Sequence, residues 1–211
     1  MFIIDEFGII EHLRIEQKRF LGIEKDDIEK VEQVDQVYQI NGIIVHQTDS
    51  PSAQSTFNSY ATGYNGAHFL IDYDGTIYQT ASIYKKTYHV GQMRSRCIVE
   101  HSCDPSETEQ YNKLKWRDRV KYGRVEAQKP FPRRYPSNAD SIGIEIVGKA
   151  NPGPDNPGKD PVFETVTEQQ NASLAWLIAG LTDALNISLT EIYRHPDVAF
   201  KNTSEARSAQ W

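Results

Sequence analysis

Apolar positions along the chain follow two periods. The stretch "INGIIVHQTDSPS" holds a continuous β-branched run bounded by Asn41-Gly42 and by Asp49-Ser50-Pro51, which predicts a strand buried on both faces with His46 at its carboxyl end. From Ser52 to Tyr64 the period changes: Phe57, Tyr60, Ala61 and Tyr64 fall at helical spacing. "AHFLIDYDGTIYQT" places two apolar runs around Asp74-Gly75, a strong hairpin signal. "SIGIEIVG" is a second buried-strand pattern, interrupted by one carboxylate, Glu145, which is costly in a strand core unless something pairs with it. Residues 164–186 form the clearest helix, with Thr167 and Gln170 as a capping-box pair and Leu174, Leu177, Ile178, Leu181 and Leu185 on one face. This alternation predicts an α/β domain with a central mixed β-sheet flanked by helices.

Two segments stand outside the pattern. Residues 1–39 read as an amino-terminal extension packed on a domain at 40–211; within it "EKDDIEKVEQVD", with six acidic residues, reads as a short surface helix or linker. Residues 92–137 read as an insertion. Between Lys113 and Arg134 it carries nine Lys/Arg against two acidic residues, with Trp116, Tyr122, Phe131 and Tyr135 interleaved. A single-stranded nucleic-acid platform uses such a mixture; so does a groove wall for an anionic or sugar-bearing polymer, and a solvated loop folded over the domain accounts for it equally well. "PGPDNPGKDP" is a turn-rich connection.

Composition narrows the classes. With 211 residues, 38% hydrophobic and 25% charged, the chain fits a soluble globular protein, and its net charge of -6 argues against a generic binder of nucleic acid or anionic membrane. No stretch approaches the roughly 18 apolar residues of a membrane span. Asp5, Glu6 and Glu11 interrupt the apolar residues of the amino terminus, so the expectation is synthesis in the cytoplasm without a signal peptide. Cys97 and Cys103 are too few for a disulfide framework; free thiols in the cytoplasm and a pair in an oxidising compartment both remain open.

The candidate chemistry centres on histidines. His46 at a strand end and His195 before a Pro-Asp turn are candidate metal ligands, and a zinc site with an open position needs about three such groups. His68 and His89 are further candidates, whereas His12 and His101 lack comparable context. The spacing of Cys97, His101 and Cys103 fits none of the strong zinc patterns.

Six segments, "IIVHQT", "GAHFLIDYDGTIYQ", "YHVG", "SIGIEIVG", the helix at 167–185 and "RHPDVAFK", stand in the order of a known family. In them the chain resembles the zinc-dependent N-acetylmuramoyl-L-alanine amidases of the peptidoglycan-recognition-protein fold, the type 2 amidases. The resemblance implies that His46 and His195 bind zinc, and that Glu145 is the general base of the cytoplasmic anhydro-muropeptide amidases. It implies that Lys201 faces the scissile carbonyl as in the phage lysozyme amidases, that His68 lines the cleft, and that His89 lies near the bound sugar-peptide. Zinc would supply a nucleophile at neutral pH, Glu145 would carry the proton, and a cation at Lys201 would stabilise the oxyanion.

One position departs from the family. Its third zinc ligand, a Cys or Asp two residues beyond the lysine, is here Thr203. Three outcomes are open: Glu205 reaches back into the site, two histidines hold the metal with extra water, or the site is metal-free. The resemblance therefore implies a hydrolase that cuts the bond between N-acetylmuramic acid and L-alanine in peptidoglycan, as a recycling enzyme, a lysin, or an antibacterial effector. The alternative is a non-catalytic module that binds peptidoglycan. Acting on a wall from the cytoplasm would require a secretion machine or lysis, and an effector would bring an immunity protein as partner.

Overall fold

The computed structural model describes residues 2–28, 30, 38–114, 118–153 and 161–211. Of the helix or linker expected at 24–35, residues 24–28 form no helix and residues 29 and 31–35 lie outside the described residues, as do Trp116 of the insertion and most of "PGPDNPGKDP". Elements follow in the order β1 (Ile3–Ile4), β2 (Ile10–Glu11), β3 (Ile15–Gln17), β4 (Gly42–Gln47), α1 (Ala53–Thr62), β5 (Phe69–Ile71), β6 (Ile77–Gln79), α2 (Arg96–Val99), α3 (Pro105–Lys113), α4 (Arg119–Ala127), β7 (Ser141–Ile146), β8 (Ala150–Asn151), β9 (Val162–Phe163), α5 (Glu168–Leu185), β10 (Ile192–Arg194) and α6 (His195–Val198).

Six strands form one mixed sheet in the order β10-β4-β7-β5-β6-β3. Only β5 and β6 run antiparallel, joined through Asp74-Gly75, where Gly75 takes the left-handed backbone (φ +85°) that a side chain resists. The remaining pairs are parallel, and parallel strands are covered on both faces. Side chains alternate across a strand, so Ile43 and Val45 of β4 join Ile142 and Ile144 of β7 under α5, whereas Ile44 packs on the other face with Val90, Met93 and Tyr135. Helix α5 begins at the Thr167–Gln170 capping box and buries Leu174, Leu177, Ile178 and Leu181, each contributing roughly 1.5–3 kcal/mol.

The amino-terminal segment contributes an edge strand: β3 pairs with β6 from Ile15 opposite Ile77 to Gln17 opposite Gln79. Gln79 also ties the segment to the sheet, accepting from Ile10 N–H and donating to the Gly8 carbonyl. Two alternations of only three residues left this pairing invisible to periodicity.

Among the described residues the insertion folds as three short helices, and several of its charges are paired with acids of the protein. Lys129 pairs with Glu107 and Glu126, Arg133 with Asp104 and Glu107, Arg134 with Asp140, and Arg96 makes a two-pronged contact with Glu191. Tyr111 is buried against Tyr122, and Tyr122 in turn packs edge-on to Phe200, so the insertion braces the segment that carries Lys201. Cys97 and Cys103 form a disulfide across a six-residue separation. Opening a loop of this size costs about 2 kcal/mol. The Cys97→Ala/Cys103→Ala variant should therefore melt roughly 4–8 °C below the oxidised protein by calorimetry. An unchanged melting temperature would show that the bridge constrains nothing.

Candidate active site

Parallel strands bring their carboxyl ends to one edge, where an open α/β sheet gathers ligands. His46 at the end of β4 lies in register with Glu145 of β7, so both side chains leave the sheet on the same face. β10 pairs with β4 on the other side, Arg194 opposite Val45, and delivers His195 at the next position; the His46 and His195 rings lie 4.1 Å apart. These residues line a cleft of about 620 Å³ together with Tyr60, His89, Lys201 and Glu205.

Glu205 is the side chain that joins the two histidines. It is buried, its Oε1 lies 2.8 Å from His195 Nδ1 and 3.6 Å from His46 Nδ1, and the donor atoms of the three side chains all lie within 4.8 Å of one another. Thr203 is exposed and lines a neighbouring pocket. The chain reaches this geometry through a turn in which Ala206 adopts a left-handed backbone (φ 53°), an arrangement that costs an alanine about 1 kcal/mol. Three bonds hold the turn: Ala206 N–H to Gln47 Oε1, Arg194 Nε to the Ala206 carbonyl, and Arg194 Nη2 to the Ala209 carbonyl.

The donor set fits a cation. His195 Nε2–H donates to the Val90 carbonyl, which leaves Nδ1 to confront the Glu205 carboxylate; a positive charge, proton or metal, must lie between them. Burial and the neighbouring His195 push the His46 pKa down to about 3, so its imidazole is the neutral form that metals bind. Against the upward effect of burial, close contact with His195 first and His46 second holds Glu205 down at about 2. Two imidazoles and one carboxylate are a donor set of the kind that zinc takes.

Glu145 answers to the opposite influence. Burial first, and the Glu205 charge second, push its pKa up to about 8, while Lys201 opposes them. Its Oε2 is buried without a hydrogen-bond partner among the described residues. A carboxyl poised near neutrality, facing the cleft and free of internal bonds, is suited to receive a proton.

Of the other two histidines, His89 borders the cleft and His68 does not. His68 does not line the cleft: it is fully buried, accepts at Nδ1 from Gly143 N–H, and donates from Nε2 to the Lys85 carbonyl, stapling β5 to β7 and to the loop after β6. His89 borders the cleft, but its Nδ1 lies 3.0 Å from His46 Nε2 and its Nε2 lies 3.2 Å from Ser141 Oγ, so both nitrogens are engaged inside the protein. Asn138, just before β7, and Ser141, its first residue, hold this arrangement and carry no further sequence signal.

Residues 36–207 match the family described as N-acetylmuramoyl-L-alanine amidase. Among solved structures, the chain is similar to a selenomethionine derivative of AmpD (TM-score 0.50, 16% identity, 93% of this chain and 88% of that one). It is also similar to AmpDH3 from Pseudomonas aeruginosa in complex with anhydromuramic pentapeptide (TM-score 0.52, 16% identity, 83% of this chain and 58% of that one). At these identities the likeness is one of fold. No curated protein matches in sequence.

Proposed function

We propose that this chain, which belongs to the N-acetylmuramoyl-L-alanine amidase family and is a hydrolase of that class, cuts the amide between N-acetylmuramic acid and L-alanine with a zinc ion held by His46, His195 and Glu205. The observation that carries the reading is the convergence of those three side chains beside Glu145 at the floor of the cleft. A zinc ion at this position would polarise the amide carbonyl and bring the pKa of a water toward 7.

The remaining chemistry belongs to the chain's own residues. Glu145 takes the proton of the attacking water on its unpaired Oε2 and passes it to the leaving amine nitrogen. Lys201, at the exposed rim of the cleft, presents its ammonium to the oxyanion as the carbonyl carbon becomes tetrahedral. Its stem passes close to Gly91, where a side chain would lie 3.7 Å from the Lys201 Cε. The joint presence of a general base and an oxyanion cation favours hydrolysis over mere recognition.

The disulfide supports action in an oxidising compartment such as the periplasm, where such bridges persist. That setting agrees with a wall-directed role as lysin or antibacterial effector. Zinc-loaded protein incubated with muropeptides should release stem peptides that begin with L-alanine, seen by mass spectrometry; a chelator should stop the release and added zinc restore it. Muropeptides bound but left intact by the zinc-loaded protein would make this a recognition module instead.

A further inference from the structure

The direction of every proton around the two histidine ligands follows from a short chain of bonds. Ser141 Oγ lies 2.5 Å from the Ser137 carbonyl, which can only accept, so the hydroxyl proton is committed there. Ser141 Oγ must then accept from His89 Nε2–H at 3.2 Å. A neutral His89 has no second proton, so its Nδ1 accepts from His46 Nε2–H at 3.0 Å, and the His46 Nδ1 lone pair is left facing Glu205. The next residue does the same for the other ligand, since the Val90 carbonyl accepts from His195 Nε2–H at 2.8 Å. One side chain fixes both: Asn138 Oδ1 accepts from His89 N–H (3.0 Å) and from Val90 N–H (2.8 Å).

We propose that His89 and Val90, clamped by Asn138, form a single bracket that sets the tautomer and ring orientation of both metal-ligand histidines, with His89 acting as a positioning residue rather than a substrate contact. Consecutive residues serve the two ligands, so a shift of one peptide would disturb both. Gly143 provides the space: a Cβ there would lie 2.8 Å from the His89 ring, closer than the ring tolerates. The "YHVG" and "SIGIEIVG" segments are thus two halves of one device, which rests on the zinc reading given above for its purpose but not for its geometry.

Groups of this kind usually account for 10–100-fold in metal affinity. Zinc affinity, measured by competition with a chromophoric chelator and without reference to turnover, should fall about 10–100-fold in His89→Ala. In His89→Asn the amide oxygen replaces the lost acceptor, and affinity should return to within about threefold of the parent protein. Gly143→Ala should reproduce the His89→Ala defect with the imidazole still present. In the metal-free protein, long-range nitrogen NMR of the His46 ring should show the proton on Nε2, and His89→Ala should lose that preference. A proton on Nδ1 of His46 in the metal-free parent would overturn the bracket whatever the zinc content. If the parent binds stoichiometric zinc and His89→Ala binds it equally well, the bracket fails while the zinc reading stands. If the parent binds none but the ring carries its proton on Nε2 and responds to His89→Ala, the bracket stands and the zinc reading falls.

Discussion

Replacing Glu205 by alanine is expected to abolish metal binding and turnover, while replacing Thr203 by alanine leaves both at the parent level. Glu205 contributes the only carboxylate among the three side chains whose donor atoms converge, and it does so from a buried position 2.8 Å from His195 Nδ1. Removing an outer partner of a ligand weakens binding 10–100-fold, so loss of a ligand itself should exceed about 100-fold. Thr203 is exposed, lines a different pocket and lies outside the converging group. The readout is zinc per chain after dialysis against a weak chelator, paired with the rate of stem-peptide release. Parent-level zinc in Glu205→Ala, or its loss in Thr203→Ala, would return the third ligand to the position the family pattern assigns.

That expectation also marks where the sequence stopped being legible. His46, Glu145 and His195 could be read because each sits at a place that periodicity defines: the end of a buried strand, an interruption within one, and the entrance to a turn. Glu205 could be named as a candidate but not placed. What turns it inward is the left-handed backbone at Ala206 and its bonds to Gln47 and Arg194, which are far apart in the chain. An alanine gives no signal of a left-handed turn as a glycine would.

The histidines show the same division between pattern and partner. His68 and His89 both look like site residues, since each sits beside a strand in a motif of the family. Only the pairing of their nitrogens separates a staple between strands from a brace behind a ligand. The insertion adds a further case. Its excess of positive charge was countable, but whether a lysine faces a polymer or a neighbouring glutamate depends on tertiary contacts, and here Lys129, Arg133 and Arg134 face acids. The same holds for β3, three residues long, whose place in the sheet is fixed by β6 rather than by its own alternation.

Replacing Glu145 by glutamine is expected to lower kcat by about 10²–10⁴, the usual weight of a general base, with zinc content unchanged. The substitution keeps shape and removes only the capacity to take a proton, and Glu145 is not among the three converging side chains. The same variant carries a second signature in the metal-free protein. In the parent protein burial pushes the Glu145 carboxyl up to about 8 from an ordinary 4.5, so between those values the folded state retains a proton that the unfolded chain has released. Stability then falls as pH rises from about 4.5 to about 8 and is level above, by up to a few kcal/mol. Glutamine does not titrate. Metal-free Glu145→Gln should therefore gain stability relative to the parent as pH rises from 5 to 8.5, read as a widening gap between urea midpoints. The two signatures have one cause, a carboxyl held without a partner where a proton must be received, and a variant that lost activity without this pH-dependent gain would point to a structural role instead.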